Sequence, residues 1–307
     1  MTNPRSDALL EPGKVVGWQA AMDAIAEDDG YLEPLGQHHW AFFAETSPTL
    51  LVTFETADSI KARKDTLPLG YTVAQAKGWS HLCLISDGDT WYRDRAVYGY
   101  FDRLVDDAFF EDFDRVVFYG AGMGGYAAAA FCVTAPGAAV VAVCPRATLD
   151  PARAGWDTRH TKSRRLCFTD RYGYAPDMTE GTGHLWLIHD PLESEDAMHA
   201  SLFAKPHVTI LRARYAGARI DVVLEATDML APVLEAAAQN TLTTISFAKL
   251  WRARRAYGPY LRGIVQRAQD AGRTGLELHA LRSITSRMHA PRLARRLAAL
   301  SGDAAKP

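Results

Sequence analysis

The run Val116-Val117-Phe118-Tyr119-Gly120-Ala121-Gly122-Met123-Gly124-Gly125-Tyr126 decides how the rest of the chain is read. Its first four residues are β-branched or aromatic and predict a short buried strand. The alanine-rich stretch after Tyr126 predicts a helix. The chain must therefore turn sharply between them, and glycine is the residue that tolerates positive φ and close backbone approach at such a turn.

Two spacings overlap in these glycines. Gly120, Gly122 and Gly124 fall at the first, third and fifth positions of a G-x-S-x-G turn, whose third residue presents a nucleophile on strained backbone. Here the third residue is Gly122, which has no side chain to attack with. Gly120, Gly122 and Gly125 also match G-x-G-x-x-G, which holds a pyrophosphate at a helix N-terminus. That fingerprint expects an acid about 20 residues further on. The next strand ends instead in Cys144-Pro145-Arg146, and Arg146 suits the 2′-phosphate of NADP. NADP is thus the alternative cofactor; the first spacing implies none.

The surroundings separate the two. About 115 residues precede the turn, whereas a dinucleotide domain opens on its fingerprint. Residues 15–27 have helical periodicity. Residues 39–44 and 49–54 are short apolar runs joined by Glu45-Thr46-Ser47-Pro48, a spacing that predicts an antiparallel pair. Residues 60–80 read as an irregular charged connection. A strand at 81–86, a helix near 96–109 and the turn follow. Further strands are expected at 138–143, 184–188 and 208–213, with an irregular insert at about 145–180. Strands alternating with helices predict a mainly parallel sheet covered on both faces. Beyond residue 232 only helical patterns remain, at 244–257, 260–271, 276–287 and 291–300.

Enzymes built on a G-x-S-x-G turn of this kind carry the acid of their relay after a late strand and its histidine after the last one. The strand at 184–188 runs into His189-Asp190, so Asp190 takes the acid position, though it equally suits a helix cap. The last strand leads to Gly217-Ala218, and no histidine occurs between His207 and His279. The vestigial positions are therefore Gly122, Asp190 and Ala218. A hydroxyl without its base is a poor nucleophile, and a base alone has nothing to activate. The Met123 backbone N–H and one from Asp87-Gly88 are candidates to point at a common anion site.

The elbow, the loop from Asp87 to Tyr92 and the Asp190 segment resemble the α/β-hydrolase superfamily. The likeness is greatest to the divergent branch associated with accessory secretion and glycan O-acetylation, whose active members carry Y-G-S-S-x-G-G-Y-like elbows. It covers roughly residues 38–232. The resemblance implies a three-layer α/β sandwich, with acyl chemistry only where the relay is intact. We accordingly expect an α/β-hydrolase-like domain over 1–232 and a basic helical C-terminal extension over 233–307. A catalytically degenerate binding role is the first expectation. An active hydrolase or acyltransferase with a relocated nucleophile, or an NADP-dependent oxidoreductase, is the alternative.

Composition bounds the partners. Net charge is −2, yet residues 241–307 hold 13 Lys and Arg against 3 acids. Arg252, Arg254, Arg255, Arg295 and Arg296 form the basic patches, next to Trp251, Tyr257 and Tyr260. An acidic partner, a polyanion or a membrane surface fits them, as does docking of the tail on its own acidic body. The unknown small-molecule partner belongs to the elbow. Residues 1–10 have no apolar core of a secretory signal. The four cysteines form no C-x-x-C pair, and Cys83, Cys132 and Cys144 lie in apolar runs, which predicts buried thiols there and a cytoplasmic location. Cys144, near the end of its strand, is also weighed as a displaced nucleophile. Glu195 and His199 at i,i+4 are weighed as metal ligands, but an acid-rich helix start is the commoner cause, and no metal is expected.

Overall fold

The computed structural model describes residues 17–303. Residues 1–16 lie outside them, including the start of the helix expected at 15–27, which is observed as Ala20–Asp29.

Eight strands form one sheet: β1 (Gly30–Leu35), β2 (His39–Ala44), β3 (Thr49–Thr56), β4 (Ser80–Ser86), β5 (Arg115–Ala121), β6 (Ala139–Val143), β7 (His184–His189) and β8 (Val208–Arg212). Their order is β1-β2-β4-β3-β5-β6-β7-β8. β2 alone runs against the other seven. The predicted pairing of residues 39–44 with 49–54 is therefore wrong, because β4 lies between them. Val52, for example, is registered with Leu82 of β4 on one side and Phe118 of β5 on the other. β3 is buried on both faces along most of its length, the signature of an interior strand rather than half of an isolated hairpin.

The crossover from β3 to β4 corrects a second expectation. Residues 60–80 are not irregular throughout, since they contain the helix Leu69–Lys77. Its N-terminus is capped from a distance. The Glu55 carboxylate accepts the Leu69 and Gly70 N–H groups, each at 2.8 Å. Its C-terminus stops at Gly78, whose φ of 66° is the left-handed conformation that closes helices.

Both sheet faces are covered. On one, Phe54 and Phe118 of the sheet meet Phe101 and Phe131 of the helices Arg95–Asp106 and Met123–Phe131. Phe101 and Phe131 stack at 4.5 Å. Each such buried ring contributes roughly 1.5–3 kcal/mol. On the other face, Leu51, Val117, Val141 and Trp186 pack against Leu224, Val233 and Leu234. The result is the expected three-layer α/β sandwich.

The sheet layer continues past residue 232. Helix Leu230–Ala238 crosses that position, and Leu230, Val233, Leu234 and Ala237 belong to the sheet-facing core. Phe247 and Trp251 join the same core. The Trp186 indole donates to the Leu242 carbonyl at 2.8 Å and fastens this stretch down. The helices Gly258–Asp270, Thr274–Thr285 and Pro291–Asp303 share a separate core, built on Leu261, Val265, Leu281 and Ile284. No helix among the described residues is long and apolar enough to cross a membrane.

Candidate functional site

The turn after β5 is a strand–helix elbow at the C-terminal edge of the sheet. Gly122 sits at its apex with φ 56° and ψ −113°, and the helix begins at Met123. The Gly122 N–H is anchored on the Val143 carbonyl at 2.8 Å. The flanking glycines are there for a different reason. A Cβ on Gly120 would lie 2.1 Å from the Gly124 carbonyl oxygen, and one on Gly124 would lie 2.3 Å from that of Phe54. These two allow the helix to lie hard against β3 and β5. A Cβ on Gly122 would meet nothing within 4 Å, so the space above the apex is open to a side chain.

Strand order fixes where the other two expected relay positions lie. Asp190 directly follows β7, and Ala218 lies in the loop after β8. The Asp190 carboxylate is fully buried and accepts the Gly217 N–H at 2.9 Å and the Leu192 N–H at 3.1 Å. An acid thus faces the loop that would carry the imidazole, but the loop offers the exposed Ala218 methyl instead. Arg267, from the C-terminal helices, stands 4.0 Å from the same carboxylate.

An eight-stranded sheet of this order, one reversed strand, an elbow after β5 and a buried acid after β7 have one architectural reading. The chain has the α/β-hydrolase fold. No protein-family model matches the sequence, and neither does any curated protein. Among solved structures it is similar to Est1E from Butyrivibrio proteoclasticus, at 13% identity over 70% of this chain and 98% of that one, with a TM-score of 0.45. It is also similar to the capsule O-acetyltransferase of Neisseria meningitidis serogroup A, at 13% identity over 63% and 91%, TM-score 0.41. The Glycosylation Associate Protein (Gap123) complex from Streptococcus agalactiae matches at 13% identity and TM-score 0.42, over 66% of this chain. This chain spans only 46% of that one's length.

The donor expected opposite Met123 needs correction. β3, not β4, borders β5, so the backbone beside the elbow on that side is the end of β3. Asp87 follows β4, one strand further away, and its N–H already donates to the His38 carbonyl at 2.7 Å. Ser86 Oγ bonds the Gly88 carbonyl at 2.8 Å, and it is Trp91 and Tyr92, further along the same loop, that reach the elbow. Met123 stays at the elbow, where its sulfur accepts the Trp91 N–H at 3.1 Å.

A cavity of about 530 Å³ opens beside the elbow between Met123, Gly124, Glu55, Tyr119, Arg63 and Asp221. Sequence reasoning does not single out Glu55, Tyr119 or Asp221. The signal available for Glu55 is its place one residue past the apolar run of β3, at the sheet edge where ligand sites form. Burial raises the Glu55 carboxyl above its usual range, against the two helix N–H bonds that lower it. Arg63 pairs with Glu225 at 2.6 Å across the mouth.

Arg146 is not placed for a 2′-phosphate. It is buried, bonds the Cys144 carbonyl at 2.7 Å and pairs with Asp196 at 3.0 Å. Asp157, Arg159 and His199 complete the cluster. Arg159 pairs with Asp157 and Asp196, each at 2.7 Å. His199 Nδ1 accepts the Ala147 N–H at 3.1 Å, so its Nε2 carries the proton and donates to Asp157 at 3.0 Å. Burial alone would push the Asp157 carboxyl up, but the His199 and Arg159 hydrogen bonds outweigh it and hold it low. Arg146, Asp157, Asp196 and His199 are buried, Arg159 closes over them from the surface, and the cluster locks the insert to helix Ser194–Leu202. His199 is therefore not paired with Glu195, whose carboxylate bonds Ser194 instead. Cys144 is buried too, and burial pushes its thiol well up, away from the thiolate that attack requires.

One hydroxyl–imidazole–carboxylate sequence does occur. Thr90 Oγ1 lies 2.7 Å from His39 Nε2, and His39 Nδ1 lies 3.7 Å from Asp94. Thr90 Oγ1 also meets Ser86 Oγ at 2.8 Å and the Tyr92 N–H at 3.2 Å, so the hydroxyl is enclosed by partners. His39 is 1% exposed, and Thr90 is not among the walls of the elbow cavity. This network pins the loop after β4. Glu55, His81 and Cys83 place one ligand-type atom each within 4.8 Å of one another. The Glu55 oxygens there are those that cap helix Leu69–Lys77, and Thr53 bonds the His81 ring at 2.9 Å.

The C-terminal arginines separate into two sets. Arg296 pairs with Glu277 at 2.8 Å and holds two helices of the extension together. Arg254 bonds Tyr260 Oη at 3.1 Å and lies over the Trp251 ring at 5.4 Å. Arg252, Arg255 and Arg295 are exposed.

Proposed function

We propose that this protein is a catalytically degenerate α/β-hydrolase-like protein that binds a small polar ligand in the cavity beside Gly122. One observation carries the reading: the apex residue keeps the strained backbone of a nucleophile while having no side chain. A glycine meets no steric penalty at φ 56°, so the elbow shape persists for packing once the attacking atom is gone. Ala218 fits the same history, since a base without a nucleophile has nothing to do. Asp190 keeps a structural use by fastening Leu192 and Gly217. The cavity walls carry both acids and arginines, which suits a ligand with polar groups of both kinds.

The test is activity-based labelling. The wild-type protein is expected to give no fluorophosphonate adduct and no turnover of short p-nitrophenyl esters. Labelling at Thr90 or at any serine overturns the reading. Gly122→Ser should fold, with a strain cost of about 1–3 kcal/mol, and remain unlabelled for want of a base. Gly122→Ser combined with Ala218→His should acquire slow labelling at position 122.

A further inference from the structure

Five cations of this protein share one groove and have no partner in it. The groove measures about 780 Å³ and lies between the end of β8 and the stretch formed by Thr244–Leu250 and Trp251–Ala256. Arg212 and Arg214 stand on the β8 side, and Lys249, Arg252 and Arg255 on the other. No acidic residue is among its walls. Among the described residues, none of these five side chains makes an ion pair or a hydrogen bond, although Arg and Lys side chains elsewhere in the molecule are repeatedly paired. Arg254, the sixth cation, is the groove's brace. It bonds Tyr260 Oη, which in turn donates to the Arg214 carbonyl at 3.1 Å and ties the two walls together.

We infer that this groove is a docking site for an acidic polypeptide segment of a partner protein, bound in extended form alongside β8. Three observations select that occupant. First, charge: unpaired like cations facing one another repel, and carboxylates placed between them remove the repulsion and gain charge-assisted hydrogen bonds. Second, the edge: β8 is the last strand of the sheet and pairs only with β7, so no strand among the described residues occupies its outer side. An extended chain can add there through main-chain hydrogen bonds. Third, the apolar content: Ile245 is 68% exposed at the groove, while Trp251 and Phe247 are 4% and 2% exposed. An aliphatic contact is available to a peptide side chain, but no aromatic face is offered to a stacked base. A concave groove with cations on both walls also fits a chain better than the flat surface of a bilayer. The inference is independent of the elbow and stands whether or not Gly122 marks a lost nucleophile.

The experiment is fluorescence anisotropy on the full chain with a labelled extended peptide of alternating glutamate and valine. Binding is expected in low salt and should weaken as salt rises. Arg252→Glu with Arg255→Glu should weaken it by about tenfold or more, with an unchanged thermal midpoint as the check on folding. Arg295→Glu, at an exposed position on helix Pro291–Asp303 outside the groove walls, should leave binding unchanged. No binding to the peptide in low salt overturns the proposal. So does an equal loss in Arg295→Glu, which would make the effect one of overall charge. Tighter binding to an oligothymidylate or to phosphatidylserine vesicles than to the peptide overturns it in favour of those occupants. Self-association of the wild type that is lost in the double variant overturns it in favour of a second copy.

Discussion

Two groups of arginines in this molecule have opposite fates. Arg146 lies inside and Arg159 reaches in from the surface, each pairing with the buried carboxylates Asp157 and Asp196, and His199 closes the set. Arg212, Arg214, Arg252 and Arg255 line a groove with no acid in its walls. The sequence marks arginines of both groups as anion binders, Arg146 for a nucleotide phosphate and those of the C-terminal region for an acidic partner. The contrast shows what decides such an assignment. An arginine becomes a site for an external anion when the fold supplies no internal one. Burial sharpens the difference, because an unpaired buried charge costs several kcal/mol while an exposed one costs little. The inner cluster is therefore a latch, and the outer group remains available.

Removing one member of the latch should give the largest effect. Arg146→Met leaves two buried carboxylates with one arginine between them, and a loss of about 3–5 kcal/mol is expected. Urea unfolding measures it; a loss below about 1 kcal/mol would mean that the cluster is hydrated and the contrast with the groove is weaker than drawn. Acid should act on the same place. Burial pushes the His199 ring below its ordinary value, and the Asp157 carboxyl is held below its own. Both groups release protons more readily in the folded state, so the unfolded chain binds more of them as pH falls. Stability is thus fully present above the ordinary histidine value of about 6.5 and declines below it, with the carboxyl adding its share near and below about pH 4. His39, lowered to about 4 by burial, acts in the same direction, with a ceiling of roughly 3 kcal/mol by the usual conversion. Urea midpoints should therefore fall between pH 7 and pH 5, to about the same extent in the groove variants. A flat profile would show that these histidines are not buried neutral.

Much of the scaffold is legible in the sequence because its signals are local. The β5 run, its glycines and the small-residue helix announce an elbow wherever they occur, and Asp190 and Ala218 follow from the ends of two further apolar runs. What cannot be read depends on distant partners. The helix Leu69–Lys77 takes its cap from Glu55, more than a dozen residues earlier, so no capping pattern precedes it in the chain. β4 inserts between β2 and β3, which no short-range spacing reveals. Its trace in the sequence is weaker: Leu50, Leu51 and Val52 are consecutive apolar residues, as in a strand covered on both faces. Pairing β2 with β3 would leave β4 as the neighbour of β5 and bring Asp87-Gly88 beside the elbow, where the end of β3 lies instead. The partners of Arg146 are likewise distant, since Asp196 is fifty residues away and no motif joins them.

The smallest expected effect tests the other half of the contrast. Arg252→Ala and Arg255→Ala remove exposed guanidinium groups that bond to nothing among the described residues. Each should change stability by no more than about 0.5 kcal/mol in either direction. A slight gain is the more informative result, because relieving repulsion among Arg212, Arg214, Lys249 and the removed charge favours the folded state, and the gain should shrink as salt screens the cations. A destabilisation comparable to that of Arg146→Met would show instead that these side chains already satisfy a partner inside the molecule. The groove would then be a second latch, and the distinction between the two groups of arginines would disappear.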